Sequence, residues 1–123
     1  MKFRFARHTN NLEKLKSFYT DVLGFDLLGG FEDHDNYNGI FLGYKNAGWH
    51  LEFTESDQPA NHTFDEDDIL VFYPESEEKY TRLLAHLREH QVEFIQPQNP
   101  YWSENGVMIL DPDGYRVVIA ATR

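Results

Sequence analysis

The sequence predicts an α+β protein of two tandem β-α-β-β-β modules, with eight strands in mixed, mostly antiparallel sheets and one main helix per module. Three observations predict it. Apolar residues recur at helical spacing over 12–22 and again over 80–87, each time after a short strand-like run. Each helical stretch is followed by runs rich in β-branched and aromatic residues. The two hairpins also match residue for residue: Gly39 answers Gly106, Trp49 answers Tyr115 and Phe53 answers Ile119, with one residue of slip in the turn. A repeat of about 55 residues constrains a fold more than any single motif. Module one is expected over about 1–56, a linker over about 57–66 and module two over about 67–123.

In chain order, FRFARHT alternates as a strand does. In NNLEKLKSFYTDVLGF, the residues Leu12, Leu15, Phe18, Tyr19 and Val22 make one apolar stripe. Asn11 is placed to cap that helix and Gly24 to end it. DLLGGFED reads as a strand with an exit turn, and GIFLGY and WHLEFTE as a hairpin joined by KNAG. The polar stretch that follows has no period and serves as the linker. In the second half, DILVFYP is a strand. ESEEKYTRLLAHLREHQ is a helix burying Tyr80, Leu83, Leu84 and Leu87, and VEFIQPQ is a strand. NPYWSENG is a loop, and GVMILDPDGYRVVIA is a hairpin about DPDG, a turn too short for a calcium loop.

The bulk composition narrows the partners. With 123 residues, 41% hydrophobic and 15% aromatic, the chain can bury a real core. Its 21 acids against 11 bases give a formal charge of -10, which argues against nucleic acid and anionic membranes as partners. There is no cysteine, hence neither a disulfide nor a thiolate metal site. The polar start MKFRFARHTN and the lack of a long apolar run point to the cytoplasm, where the Asn61-His62-Thr63 sequon carries no meaning.

Paired β-α-β-β-β modules, FYTDVLGF in the first helix and DPDGYRVVI near the end together resemble the vicinal oxygen chelate superfamily, the glyoxalase I, bleomycin-resistance and extradiol dioxygenase group. The resemblance covers nearly the whole chain. It implies a paired-cup, glyoxalase-like fold, each sheet curled into a half-open cup, and often a homodimer. It also implies a metal between the cups held by four residues. Carried onto this chain, those positions fall on Arg4, Glu52, Asp68 and Val118. Glu52 matches and Asp68 is a chemical substitute, but arginine and valine have no lone pair to give.

Alternation puts Arg4, Ala6 and His8 on one face of the first strand and His50, Glu52 and Thr54 on one face of another. A carboxylate drawn into a cup needs a partner. Arg4 is therefore expected to bridge Glu52, Asp68 or both, with its guanidinium standing where relatives keep the metal. Removing it should then cost about 3 kcal/mol, as for a stranded buried charge. No cofactor is expected; a protein-held divalent metal is the alternative. A relocated site of His8, His50 and Glu52 is disfavoured by distance, because His8 lies about 13 Å along the strand from Arg4 and His50 about 6.6 Å from Glu52. Both histidines otherwise read as hydrogen-bonded rim residues. His34 and His62 read as solvated, while His86 and His90 lie on the second helix. Tyr101 and Trp102 either stack on a ligand or close the core.

The leading functional expectation is a superfamily member that binds a small molecule in a cup with a degenerate metal site. Its expected contacts are Arg4, His8, His50, Glu52, Asp68, Tyr101 and Trp102. The alternatives are a glyoxalase-like lyase or isomerase with Glu52 as general base, and a non-catalytic interaction domain.

Overall fold

Four strands make the sheet of the first unit, Met1–His62: β1 (Phe3–His8), β2 (Asp26–His34), β3 (Tyr37–Gly43) and β4 (Trp49–Glu55), in the order β1-β4-β3-β2. In this computed structural model, which describes residues 1–121, β1 runs parallel to β4 and the other pairs are antiparallel. Arg4 pairs with His50, Ala6 with Glu52 and His8 with Thr54. Side chains alternate across β4. Leu51 and Phe53 are buried, whereas His50, Glu52 and Thr54 stand half-buried on the opposite face.

The stripe on the first helix packs as its spacing predicts. Helix α1 (Leu12–Ser17) starts at Asn11, whose side-chain oxygen accepts from the Lys14 N–H at 3.1 Å. Leu15 and Tyr19 are fully buried, and the Tyr19 ring lies 5.1 Å from that of Phe53. The α-helix is shorter than expected, because residues Phe18–Val22 form a wider π-helical turn. There the Thr20 hydroxyl donates to the Lys16 carbonyl at 2.7 Å, and the Leu23 N–H reaches back to Phe18. Gly24, at φ +78°, ends the segment.

The second unit, from Thr63 onward, holds a three-stranded sheet of β5 (Ile69–Phe72), β6 (Gly106–Leu110) and β7 (Arg116–Ala120), ordered β5-β7-β6. β5 is parallel to β7, and β6 is antiparallel to it. Helix α2 (Glu77–Glu89) is capped by Ser76, which accepts from the Lys79 N–H, and it buries Leu87. Burial raises the Tyr80 phenol above its ordinary value, with the Arg88 charge acting in the opposite sense.

Two expectations fail in this unit. VEFIQPQ is not a strand. It touches the sheet only at one bridge, Ile95 to Met108, and its Pro97 offers no N–H to a ladder. The described residues therefore hold seven strands rather than eight. NPYWSENG is not a loop but mostly helix α3 (Pro100–Asn105), with Asn99 accepting from the Tyr101 N–H at 3.0 Å and proline in the first turn.

The hairpin repeat holds in detail. Gly39 pairs with Thr54 as Gly106 pairs with Ala120, and Ile40 with Phe53 as Val107 with Ile119. Glu52 and Val118 are thus equivalent positions. The parallel pairs extend the comparison, since Ala6 opposes Glu52 as Val71 opposes Val118. By this register Ile69, not Asp68, occupies the place that Arg4 has in the first unit. Among the described residues no helix is long and apolar enough to cross a membrane.

Candidate functional site

The face of the first sheet that carries Glu52 is organised around Arg4. Arg4 Nη1 donates to Glu52 Oε1 at 2.9 Å, and Arg4 Nε donates to His50 Nε2 at 2.9 Å. An arginine nitrogen can only donate, so His50 accepts on Nε2 and carries its ring proton on Nδ1. The guanidinium also sits 5.1 Å from the centroid of the Phe41 ring. Strand register explains the cluster. Arg4 lies directly across from His50 and diagonal to Glu52, while Phe41 on β3 lies directly across from Glu52 on its other side. The Glu52 side chain is 14% exposed and that of Arg4 52%.

The other predicted site residues have different tasks. His8 is bonded through Nδ1 to Thr54 Oγ1, and through Nε2 it donates to the Gln58 carbonyl, both at 2.9 Å. It thereby holds the chain leaving β4. His62 is not solvated as expected. It is half-buried and donates from Nε2 to the His8 carbonyl at 2.7 Å. Asn10 completes this staple by pairing with both backbone groups of Ala60. The sequence missed these contacts because the linker looked featureless. The one available signal was two polar side chains, His8 and Asn10, at the end of β1.

Asp68 lies just ahead of β5 and is exposed. Its carboxylate accepts from the Asp65 N–H at 3.1 Å. Trp102 packs against Met108, Val118 and Ala120 together with Ile69, Val71 and Ile95, an apolar cluster on the second sheet. Tyr101 is 39% exposed and makes an edge contact with Trp102 at 4.9 Å.

The metal implied by the superfamily does not fit these residues. Arginine cannot ligate, the fully buried Val118 has no donor atom, and Oε1 of Glu52 already receives an arginine N–H. Among the described residues no three His, Asp or Glu side chains converge as ligands.

Comparison with known proteins places the chain. Residues 3–54 match the YycE-like N-terminal domain and residues 67–121 the YycE-like C-terminal domain. The uncharacterized protein YycE of Bacillus subtilis (strain 168) is 36% identical over 121 residues, covering 95% of this chain and 85% of that protein. The crystal structure of a Bacillus subtilis YycE protein superposes with a TM-score of 0.87 at 32% identity, covering 99% of this chain and 90% of that one. The trypanothione-dependent glyoxalase I of Leishmania major has a TM-score of 0.73 at 24% identity, covering 96% and 84% of the two chains. TnmS3, an antibiotic-binding protein from Streptomyces sp. CB03234, has a TM-score of 0.71 at 23% identity, covering 100% and 96%. The last two likenesses are of fold alone. The chain therefore belongs to the YycE-like family, on the glyoxalase-like fold of the vicinal oxygen chelate superfamily.

Proposed function

We propose that this chain is a small-molecule-binding protein whose ligand sits on the Arg4, His50 and Glu52 face, with a guanidinium in the place of the superfamily metal. The observation that supports it most is the pair of contacts from one arginine, to Glu52 Oε1 and to His50 Nε2, each at 2.9 Å. They engage Glu52, the carboxylate at a superfamily ligand position, and the neighbouring His50. They use two of five guanidinium N–H groups, which leaves donors for a ligand beside an aromatic surface. His8 serves the chain after β4 on this reading, and Trp102 serves an apolar cluster. The protein works as a cytoplasmic homodimer. The test is metal analysis of purified protein with thermal-shift screening of metals and small ligands. Ligand-induced shifts that disappear in Arg4→Ala, without bound metal, are expected. If the parent binds one metal per chain tightly and needs Glu52 to do so, the reading fails. A glyoxalase-like reaction with Glu52 as base then takes its place.

A further inference from the structure

We propose that Glu52 sets the charge of the ligand: by neutralising Arg4 it makes this face select an uncharged molecule, one that offers an oxygen acceptor beside a flat apolar part, over an anion. The inference rests on the binding reading above and names the ligand class for that site. Its basis is the charge arrangement on one sheet face. Arg4 and Glu52 are 2.9 Å apart and cancel, and His50, accepting from Arg4, adds no charge. The Glu52 side chain is only 14% exposed, so water screens it poorly. An anion approaching the remaining guanidinium donors would meet that carboxylate on a chain already at -10. A cation would meet the guanidinium instead. An uncharged carbonyl or amide oxygen can accept from the guanidinium and leaves no charge unmatched. Selection here is rejection by an unpaired charge rather than extra attraction.

The apolar part of the ligand has its own surface. The Phe41 ring carries the guanidinium at 5.1 Å, and the Phe31 ring stands 5.9 Å from it. Phe31 has room because Gly39 presents no side chain beneath its ring. Leu28, 39% exposed, and His50 both flank Gly43 on the same sheet. Aromatic rings beside a donor suit a flat ligand.

The experiment uses matched probes, benzamide, benzoate and benzylamine, titrated by two-dimensional amide NMR into the parent, Glu52→Gln and Glu52→Asp. The parent should bind benzamide about tenfold or more tighter than benzoate, a difference of the size one poorly screened charge produces. Glu52→Gln should shift the benzamide-to-benzoate affinity ratio about tenfold toward benzoate. Glu52→Asp, which keeps the charge, should keep the parental order and shows that the effect is not misfolding. Equal or stronger benzoate binding by the parent overturns the proposal, as does an unchanged ratio in Glu52→Gln. If no probe perturbs this face in any of the three proteins, the binding reading itself fails and this inference with it.

Discussion

At Arg4 the cost of losing an ion pair depends on how much water reaches it. The expectation of about 3 kcal/mol for Arg4→Ala assumed two buried charges. The Arg4 side chain is 52% exposed, so truncating it opens to water the Glu52 carboxylate that it covers, and the stranded charge is solvated in the variant. Arg4→Ala should therefore destabilise by about 1 kcal/mol. Paired urea denaturation curves measure it, and a loss near 3 kcal/mol would restore the buried-charge picture. Arg4→His makes a sharper test. It would set an imidazole directly across from His50 and diagonal to Glu52. Two imidazoles and a carboxylate are a zinc donor set. Calorimetric titration should show zinc binding in Arg4→His and none in the parent. Alternation along two strands was enough to foresee Arg4 meeting Glu52. The His50 contact was not readable, because which residue lies opposite which depends on a parallel register that neither strand encodes alone. The same gap misplaced Asp68, since Ile69 is the residue that the pairing sets equivalent to Arg4.

Within elements, glycines that look alike in the sequence do different work. Gly24 ends the first helix at φ +78°, with nothing within 4 Å of where a side chain would begin. Gly24→Ala should cost about 1 kcal/mol of backbone strain and no more. Gly106 lies in β6, and a methyl group there would run into the Ile119 carbonyl oxygen and the Ala120 backbone of β7. No side chain can turn aside, so Gly106→Ala should cost about 3 kcal/mol, the upper end for overpacking. Its repeat mate Gly39 meets a ring, that of Phe31, which can rotate, so Gly39→Ala should fall between the two. Thermal melts of the three variants rank them, and a Gly24→Ala loss as large as that of Gly106→Ala would refute the assignment. The strands, caps and helical stripes were legible because each follows a local period or a local hydrogen bond. Helix α3 was missed although Asn99 and Pro100 make a standard start, since its six residues show no apolar period. VEFIQPQ had the composition of a strand, but Pro97 has no N–H for a ladder and the segment keeps a single bridge.

Across the whole chain the internal repeat was the most informative signal, because it survives in the pairing of both hairpins. It could not say what meets the outer edges of the sheets, and that question carries the last prediction. In the first sheet β2 is an edge strand, and eight of its nine residues are exposed. Leu27 and Leu28 stand 47% and 39% exposed on it. An edge with unpaired backbone groups and exposed leucines favours a second copy, which covers it by symmetry. Charge opposes this, since each chain carries a formal -10 and two copies repel. Association should accordingly be salt-dependent in an unusual sense. Screening by about 0.15 M salt, with a Debye length of roughly 8 Å, should strengthen it rather than weaken it. Light scattering at tens of micromolar should give a dimer near physiological salt and a growing monomer fraction as salt is withdrawn. Leu27→Lys should weaken the dimer at least about tenfold, since it removes apolar area and sets a charge on the edge. The lysine also lowers the net repulsion, so a weaker dimer in that variant would trace to the lost edge contact rather than to charge. A monomer at every salt concentration, or a Leu27→Lys variant that dimerises as the parent does, would leave the β2 edge without a partner.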